Sequence, residues 1–172
     1  MVESQRVKMM KPRLYLETTI PSYLTAWPSR DLVRAAHQQT TREWWEQRRA
    51  EYDLFVSEIV LDECQGGDPA AAEKRVEVVR NLPLLEETVE AVSLAKSLVR
   101  EVPLPEQATA DALHIGISAV HGMDYLLTWN CTHIANASLR SRIDSACRKH
   151  GYEPPIICTP DELLQREETE NG

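Results

Sequence analysis

The stretch Arg13–Glu17, with the sequence RLYLE, decides the fold of this chain of 172 residues. Three apolar residues in a row, bounded by an arginine and an acid, are typical of a short buried strand. Four similar runs predict further strands at Leu54–Val56, Leu82–Leu85, Tyr125–Thr128 and Ile156–Cys158. Short, evenly apolar strands of this kind are typical of a parallel sheet that is covered on both faces.

Helical patterns fill the intervals between these strands. Asp31–Asp53 predicts a long helix because it is rich in good helix formers and contains neither Gly nor Pro. Pro21 and Pro28 are expected to interrupt the chain before it. Further helices are predicted after the cap Ser57, from Asp68 to about Arg80, over Thr88–Glu101, Ala108–His121 and Ala137–His150, with a last turn from Asp161. This alternation predicts an α/β fold: a three-layer sandwich with a central, mostly parallel sheet of four or five strands and helices on both faces.

The composition is that of one soluble globular domain. Hydrophobic residues make up 42% and charged residues 27%, which excludes collagen-like, mucin-like and wholly disordered chains. No apolar run approaches the ~20 residues of a membrane span, and Met1–Arg13 lacks the apolar segment of a secretory signal. We therefore expect a cytoplasmic protein with no membrane partner, a single domain over residues 12–164 and flexible ends at 1–11 and 165–172.

The net charge of −8 bears on the partners of the chain. An acidic protein binds nucleic acid poorly through non-specific contacts. The same charge is compatible with an enzyme that gathers metal ions on carboxylates, or with a basic protein partner.

Three acids stand where a charge needs a partner or a function. Glu17 ends the first strand, Glu63 follows the cap Ser57 by six residues, and Asp111 opens the apolar helix Ala108–His121. Sites in parallel sheets form outside the carboxyl ends of the strands. Clustered carboxylates repel one another, and a hard cation such as Mg²⁺ or Mn²⁺ removes that repulsion. A water activated by such a cation can attack a phosphodiester.

Each of these residues also has a purely structural interpretation. Glu17 can accept backbone N–H groups at a strand end, Glu63 can be an exposed helix residue, and Asp111 can complement a helix dipole. His114 is expected to be packed or hydrogen-bonded rather than a metal ligand. The hydroxyl of Thr18 can hold a bound water or a phosphate, or it can cap the turn that follows.

Four pieces of the sequence, in order, resemble the PIN-domain family of metal-dependent ribonucleases, which includes the VapC-type toxins of bacterial toxin–antitoxin pairs. The pieces are Tyr15–Thr19 (YLETT), Ser57–Glu63, Ala110–Ile115 (ADALHI) and Leu126–Asn130 (LLTWN). The resemblance extends from about residue 13 to residue 164, and it therefore implies a PIN-like sandwich for nearly the whole chain.

The resemblance also implies an activity and a set of partners. It implies an endoribonuclease that hydrolyses RNA with Mg²⁺ or Mn²⁺ and forms no covalent intermediate, an antitoxin protein as a partner, and a homodimer. The residues to which it assigns roles are Glu17, Glu63 and Asp111 as catalytic metal ligands, and Thr18, Asn130 and His133 in support.

Two positions depart from the family pattern. Glu17 stands where the family usually has Asp, and His133 stands where it often has a further Asp. A glutamate keeps the charge on a side chain one methylene longer, whereas an imidazole suits Mn²⁺ better than Mg²⁺. The site would therefore carry about three negative charges rather than four, which predicts weaker Mg²⁺ binding.

Two alternatives from other classes stay open at the level of sequence. The departures at Glu17 and His133 are also compatible with a non-catalytic PIN-like binding module. The four cysteines contain no CxxC pair and are expected to be reduced and mostly buried. A structural zinc site built from Cys131 and His133 is a third hypothesis, although the spacing differs from that of the usual zinc motifs.

Overall fold

The computed structural model describes residues 10–164. The strands are β1 (Arg13–Leu16), β2 (Asp53–Ser57), β3 (Leu84–Leu85), β4 (Tyr125–Leu127) and β5 (Ile156–Cys158). The helices are α1 (Thr19–Thr25), α2 (Leu32–Gln47), α3 (Glu58–Cys64), α4 (Pro69–Val79), α5 (Val89–Glu101), α6 (Thr109–Val120), α7 (Ala137–Lys149) and α8 (Pro160–Leu164). Flexible ends were predicted at residues 1–11 and 165–172, and of these residues 1–9 and 165–172 lie outside the described residues.

The five strands form one sheet in the order β3-β2-β1-β4-β5, and every pairing is parallel. The central strand β1 pairs with β2 through Leu14 and Leu54, and with β4 through Tyr15 and Leu126. The chain thus moves outward from β1 to β3 on one side and then crosses to β4 and β5 on the other. The strand order reverses between β1 and β4, which makes their carboxyl ends the topological switch point of the sheet.

The direction of each crossover decides which face of the sheet its helices cover. Crossovers between parallel strands are right-handed, so α1 to α4 lie on one face and α5 to α7 on the other. The packing agrees, because α1 contacts α2 and α4, while α5 contacts α6 and α7. The last helix, α8, packs on α2 and joins the first layer. The predicted α/β sandwich with a parallel sheet is confirmed, with five strands.

The region around the long predicted helix differs from the expectation. Residues 19–25 form α1 with Pro21 inside its first turn, where the missing N–H of a proline has no intrahelical partner to lose. Helix α2 ends at Gln47 rather than at Asp53, and a 3₁₀ turn over Arg49–Glu51 follows. The tighter turn brings Asp53 opposite Arg13 in the sheet.

Two smaller predictions also need correction. The strand predicted over Leu82–Leu85 contains only Leu84 and Leu85, because the N–H of Leu82 closes a turn onto Val79. Ser57 lies at the N-cap of α3 but its side chain makes no capping bond. Its hydroxyl instead lies 2.7 Å from the Tyr15 hydroxyl in the core.

The core is continuous through all three layers of the sandwich. Leu14, Tyr15 and Leu16 of the central strand are completely buried, as is Trp44 of α2.

In the described residues, no helix combines the length and the apolar character that crossing a membrane requires. All four cysteines are free, and only Cys131 is exposed, as the composition predicted.

Helices α5 and α6 approach so closely that only glycine fits at position 116. A Cβ atom at Gly116 would lie 2.6 Å from the Ala91 carbonyl oxygen and 3.3 Å from the Ala95 nitrogen. Both atoms belong to the backbone of α5, so the helices would have to separate. We expect Gly116→Ala to lower the free energy of unfolding by about 1–3 kcal/mol, as overpacking does, although alanine is the better helix former.

Urea unfolding of Gly116→Ala beside Ser93→Ala, an exposed α5 residue, measures this effect. A Gly116→Ala protein as stable as the Ser93→Ala control would contradict the close approach of the two helices.

Candidate active site

Glu17 is the first residue after β1, and its side chain is fixed at the switch point. Its N–H donates to the Leu127 carbonyl at 3.1 Å, which extends the pairing of β1 with β4 by one residue. The side chain is 4% exposed. Its Oε2 accepts from the Thr128 hydroxyl at 2.7 Å, and from both the hydroxyl and the backbone N–H of Thr19. This carboxylate is therefore held across the junction of the two strands.

Glu63 lies on α3 and points back toward the sheet. Its Oε1 accepts from His114 Nε2 at 2.6 Å and from the Thr18 hydroxyl at 3.0 Å. Partial burial raises the pKa of Glu63, but the hydrogen bonds from His114 and Thr18 and the charge of His114 outweigh it, so the pKa lies below its usual value. Glu63 is thus ionised at neutral pH.

Asp111 lies in the first turn of α6 and is bound by two residues of the β4–α7 loop. Its Oδ1 accepts from the Asn130 side-chain amide at 3.0 Å, and its Oδ2 lies 2.7 Å from His133 Nδ1. The side-chain oxygen of Asn130, Oδ1, in turn accepts from the His133 N–H at 3.1 Å. Asn130 and His133 therefore hold and orient this acid.

The first two acids are linked through Thr18. Thr18 follows Glu17 in the chain and donates to Glu63, so the first turn after β1 connects the two side chains. Helix α6 supplies the link to the third acid, because Asp111 and His114 lie one turn apart on it and His114 bonds Glu63.

The loop after β4 links Glu17 to Asp111 from the other side. Thr128 donates to Glu17, and Asn130, two residues further on, donates to Asp111. Hydrogen bonds thus connect the predicted site residues around the carboxyl ends of β1 and β4, where a crevice is expected in a sheet of this topology.

Sequence reasoning missed two members of this arrangement, Thr19 and Thr128. Both donate to Glu17, and both stand in the quoted stretches YLETT and LLTWN. A hydroxyl residue within three positions of the end of a buried strand was the available signal. Which acid it would serve depends on strand order, because Thr128 and Glu17 are 111 residues apart.

The donor set fits a hard divalent cation in its chemistry. Among the described residues, no protein group donates to Oε1 of Glu17 or to Oε2 of Glu63, so each carboxylate is oriented through one oxygen and keeps the other for a ligand. Within residues 10–164, no three His, Cys, Asp or Glu side chains form a ready-made metal cage. Mg²⁺ typically binds one or two carboxylates and completes its shell with water and substrate phosphate.

The zinc hypothesis is not supported in the part of the chain that the structure describes. Cys131 is exposed, and His133 is bonded to Asp111. No third His, Cys, Asp or Glu joins them there in a group that could hold a metal ion.

Comparisons with known proteins define the fold. No family model matches the sequence, and no curated protein matches it. Among solved structures, the chain is similar to VapBC2 from Rickettsia felis, solved bound to a DNA fragment from its promoter, at 15% identity with a TM-score of 0.55. That match covers 85% of this chain and 97% of the other.

A second similar structure is VapC20 from Mycobacterium tuberculosis, described as a sarcin–ricin loop cleaving toxin. Its identity is 15% and its TM-score 0.56, over 72% of this chain and 95% of the other. The chain therefore has a PIN-like α/β sandwich fold. Within that class its fold is like that of the VapC toxins, as the four sequence pieces implied.

Proposed function

We propose that the chain is a metal-dependent endoribonuclease that hydrolyses RNA phosphodiesters as the toxin of a toxin–antitoxin pair. The observation that carries the proposal is the linked set of Glu17, Glu63 and Asp111 at the switch point of a VapC-like fold. The similarity to a toxin that cleaves the sarcin–ricin loop supports RNA as the substrate.

Glu17, Glu63 and Asp111 would hold Mg²⁺ or Mn²⁺. When bound, the cation would lower the pKa of water and neutralise charge on the phosphate. The chain's own residues fix the three carboxylates: Thr19 and Thr128 orient Glu17, Thr18 orients Glu63, and Asn130 and His133 orient Asp111.

An antitoxin would need an accessible apolar surface, and the segment between α1 and the start of α2 offers one. Trp27 is 84% exposed, Leu32 86% and Val33 65%, and the ammonium group of Lys74 lies 5.3 Å from the Trp27 ring. Exposed apolar groups of this size commonly mark protein contacts. We further infer that the protein is cytoplasmic and that it forms a homodimer. Light scattering of the purified protein tests the homodimer.

The test is RNA cleavage by the purified chain. The substrates are a hairpin that carries the sarcin–ricin loop and a preparation of total RNA. We expect at least one RNA to be cleaved in the presence of Mg²⁺ or Mn²⁺ and to stay intact in EDTA. Both metals should also raise the melting temperature, because a ligand that binds only the folded state stabilises it by mass action. Cleavage that persists in EDTA would contradict metal dependence.

A non-catalytic PIN-like binding module is the second candidate. One observation favours it: both oxygens of Asp111 are already bonded to protein groups. This candidate predicts no cleavage of any RNA and no rise in melting temperature with either metal. It also predicts that neutralising Asp111 leaves the protein equally stable or more stable, because no cation then offsets the clustered charge.

A further inference from the structure

A chain of hydrogen bonds runs through the core behind Glu63 and ends on it. The hydroxyl groups of Ser57 and Tyr15 lie 2.7 Å apart, and the Tyr15 hydroxyl lies 2.7 Å from His114 Nδ1. The opposite ring nitrogen of His114, Nε2, lies 2.6 Å from Glu63 Oε1. Ser57, Tyr15 and His114 are all completely buried. We call these three residues the buried relay.

The hydrogen bonds of the buried relay can form one continuous series. A carboxylate oxygen accepts, so His114 Nε2 donates to Oε1 of Glu63. In the tautomer that carries its hydrogen on Nε2, Nδ1 accepts from the Tyr15 hydroxyl. The oxygen of Tyr15 then accepts from the Ser57 hydroxyl.

We propose that His114 is a positioning residue for Glu63, and that Tyr15 and Ser57 hold its imidazole in the orientation in which Nε2 donates to Glu63. The buried relay connects residues of β1, the end of β2 and α6, and it contacts Oε1 of Glu63 on α3. His114 occupies Oε1 and so leaves Oε2 as the oxygen that meets the proposed cation. The inference rests on the proposed function.

The cost of burying these polar groups supports a role beyond packing. Three buried polar side chains are destabilising unless each finds a partner, and apolar residues of similar size would fill the same space. Glu63 itself is 39% exposed, so water could satisfy its carboxylate without help. The buried relay therefore serves to orient the Glu63 carboxylate rather than to satisfy it. Loss of a supporting group of this kind typically lowers metal affinity by about 10–100-fold.

Two substitutions at His114 separate orientation from space filling. In His114→Gln the amide nitrogen takes the place of Nε2 and can still donate to Glu63. In His114→Asn the amide nitrogen takes the place of Nδ1 and cannot reach Glu63. We expect His114→Asn to bind Mn²⁺ at least ~10-fold more weakly than the parent, and His114→Gln to recover most of the loss. Electron paramagnetic resonance of free Mn²⁺ measures the affinity, with melting temperature as the check on folding.

Tyr15→Phe gives an independent test with little change in shape. Without the hydroxyl, His114 Nδ1 loses its partner in the core, and only the bond to Glu63 orients the ring. We expect a several-fold loss of Mn²⁺ affinity in the folded variant, and a fall in kcat for RNA larger than any rise in KM.

The outcomes distinguish this inference from the proposed function. Equal Mn²⁺ affinity in the parent, His114→Asn and Tyr15→Phe would overturn the inference while the metal site stands. A parent that binds no Mn²⁺ overturns the proposed function, and metal-free crystal structures of the parent, His114→Asn and His114→Gln then decide the inference. A Glu63 carboxylate that moves in His114→Asn but not in His114→Gln supports positioning, and one that stays in place in both overturns it.

Discussion

Asp111→Asn is expected to abolish RNA cleavage, with a loss of at least ~100-fold in kcat/KM. Changing a residue that merely orients a metal ligand costs 10–100-fold, and this substitution changes a proposed ligand itself. Asparagine has nearly the same shape but no charge, and its amide nitrogen replaces one of the two oxygens that bond Asn130 and His133. The fold should persist because Asp111 is partly exposed. Gel assays of RNA cleavage under single-turnover conditions measure the loss.

Asp62→Asn is the matched control for this experiment. Asp62 is an exposed acid on α3 beside Glu63, so the substitution removes the same charge close to the site but outside it. We expect it to cleave within about threefold of the parent, which corresponds to the small energies of surface charges. An Asp111→Asn protein that cleaves as well as this control would show that the acids are wrongly assigned.

Trp44→Ala is expected to have the largest effect on stability, a loss of about 3–5 kcal/mol in the free energy of unfolding. Trp44 is completely buried on α2. Its ring lies 6.4 Å from that of Trp45 and 6.0 Å from that of Tyr52. Removal of the indole would leave a cavity beneath the layer of α1 to α4, and close-packed surroundings refill such cavities only in part. Urea unfolding followed by circular dichroism measures the change.

Trp44→Phe separates lost volume from lost polarity. The Trp44 indole nitrogen is buried and finds no acceptor among the described residues, so phenylalanine removes an unpaired donor together with part of the ring. An unpaired buried donor costs about 1–3 kcal/mol, which offsets part of the cavity. We expect Trp44→Phe to be clearly more stable than Trp44→Ala. Equal losses in the two variants would contradict the explanation of the Trp44→Ala loss by a cavity.

Much of the fold could be predicted because apolar runs and helix signals are local. The three apolar residues of RLYLE mark the central strand, and Asp68 with Pro69 marks the start of α4. The prediction was wrong where tertiary contacts decide. Ser57 has the right residue type for a cap, but Tyr15, which is 42 residues away, takes its hydroxyl.

The same division applies to the candidate site. The sequence shows that Glu17 ends a strand, that Glu63 lies on the helix after the second strand and that Asp111 lies early in a helix. The PIN resemblance rested on these residues. Their partners are not visible there. His114 was predicted only to be packed or hydrogen-bonded, and its contact with Glu63 spans 51 residues.

Local patterns in the sequence specify the α/β class, the order of the elements and the residues that end each strand. These properties depend on the periodicity of apolar residues and on the chemistry of neighbours in the chain. The position of β1 between β2 and β4 is a property of the folded chain, and through it Thr128 bonds Glu17, Asn130 bonds Asp111 and the buried relay contacts Glu63. The reason is physical: a parallel sheet brings strand ends together through crossovers of many residues, and no local pattern specifies which ends will meet.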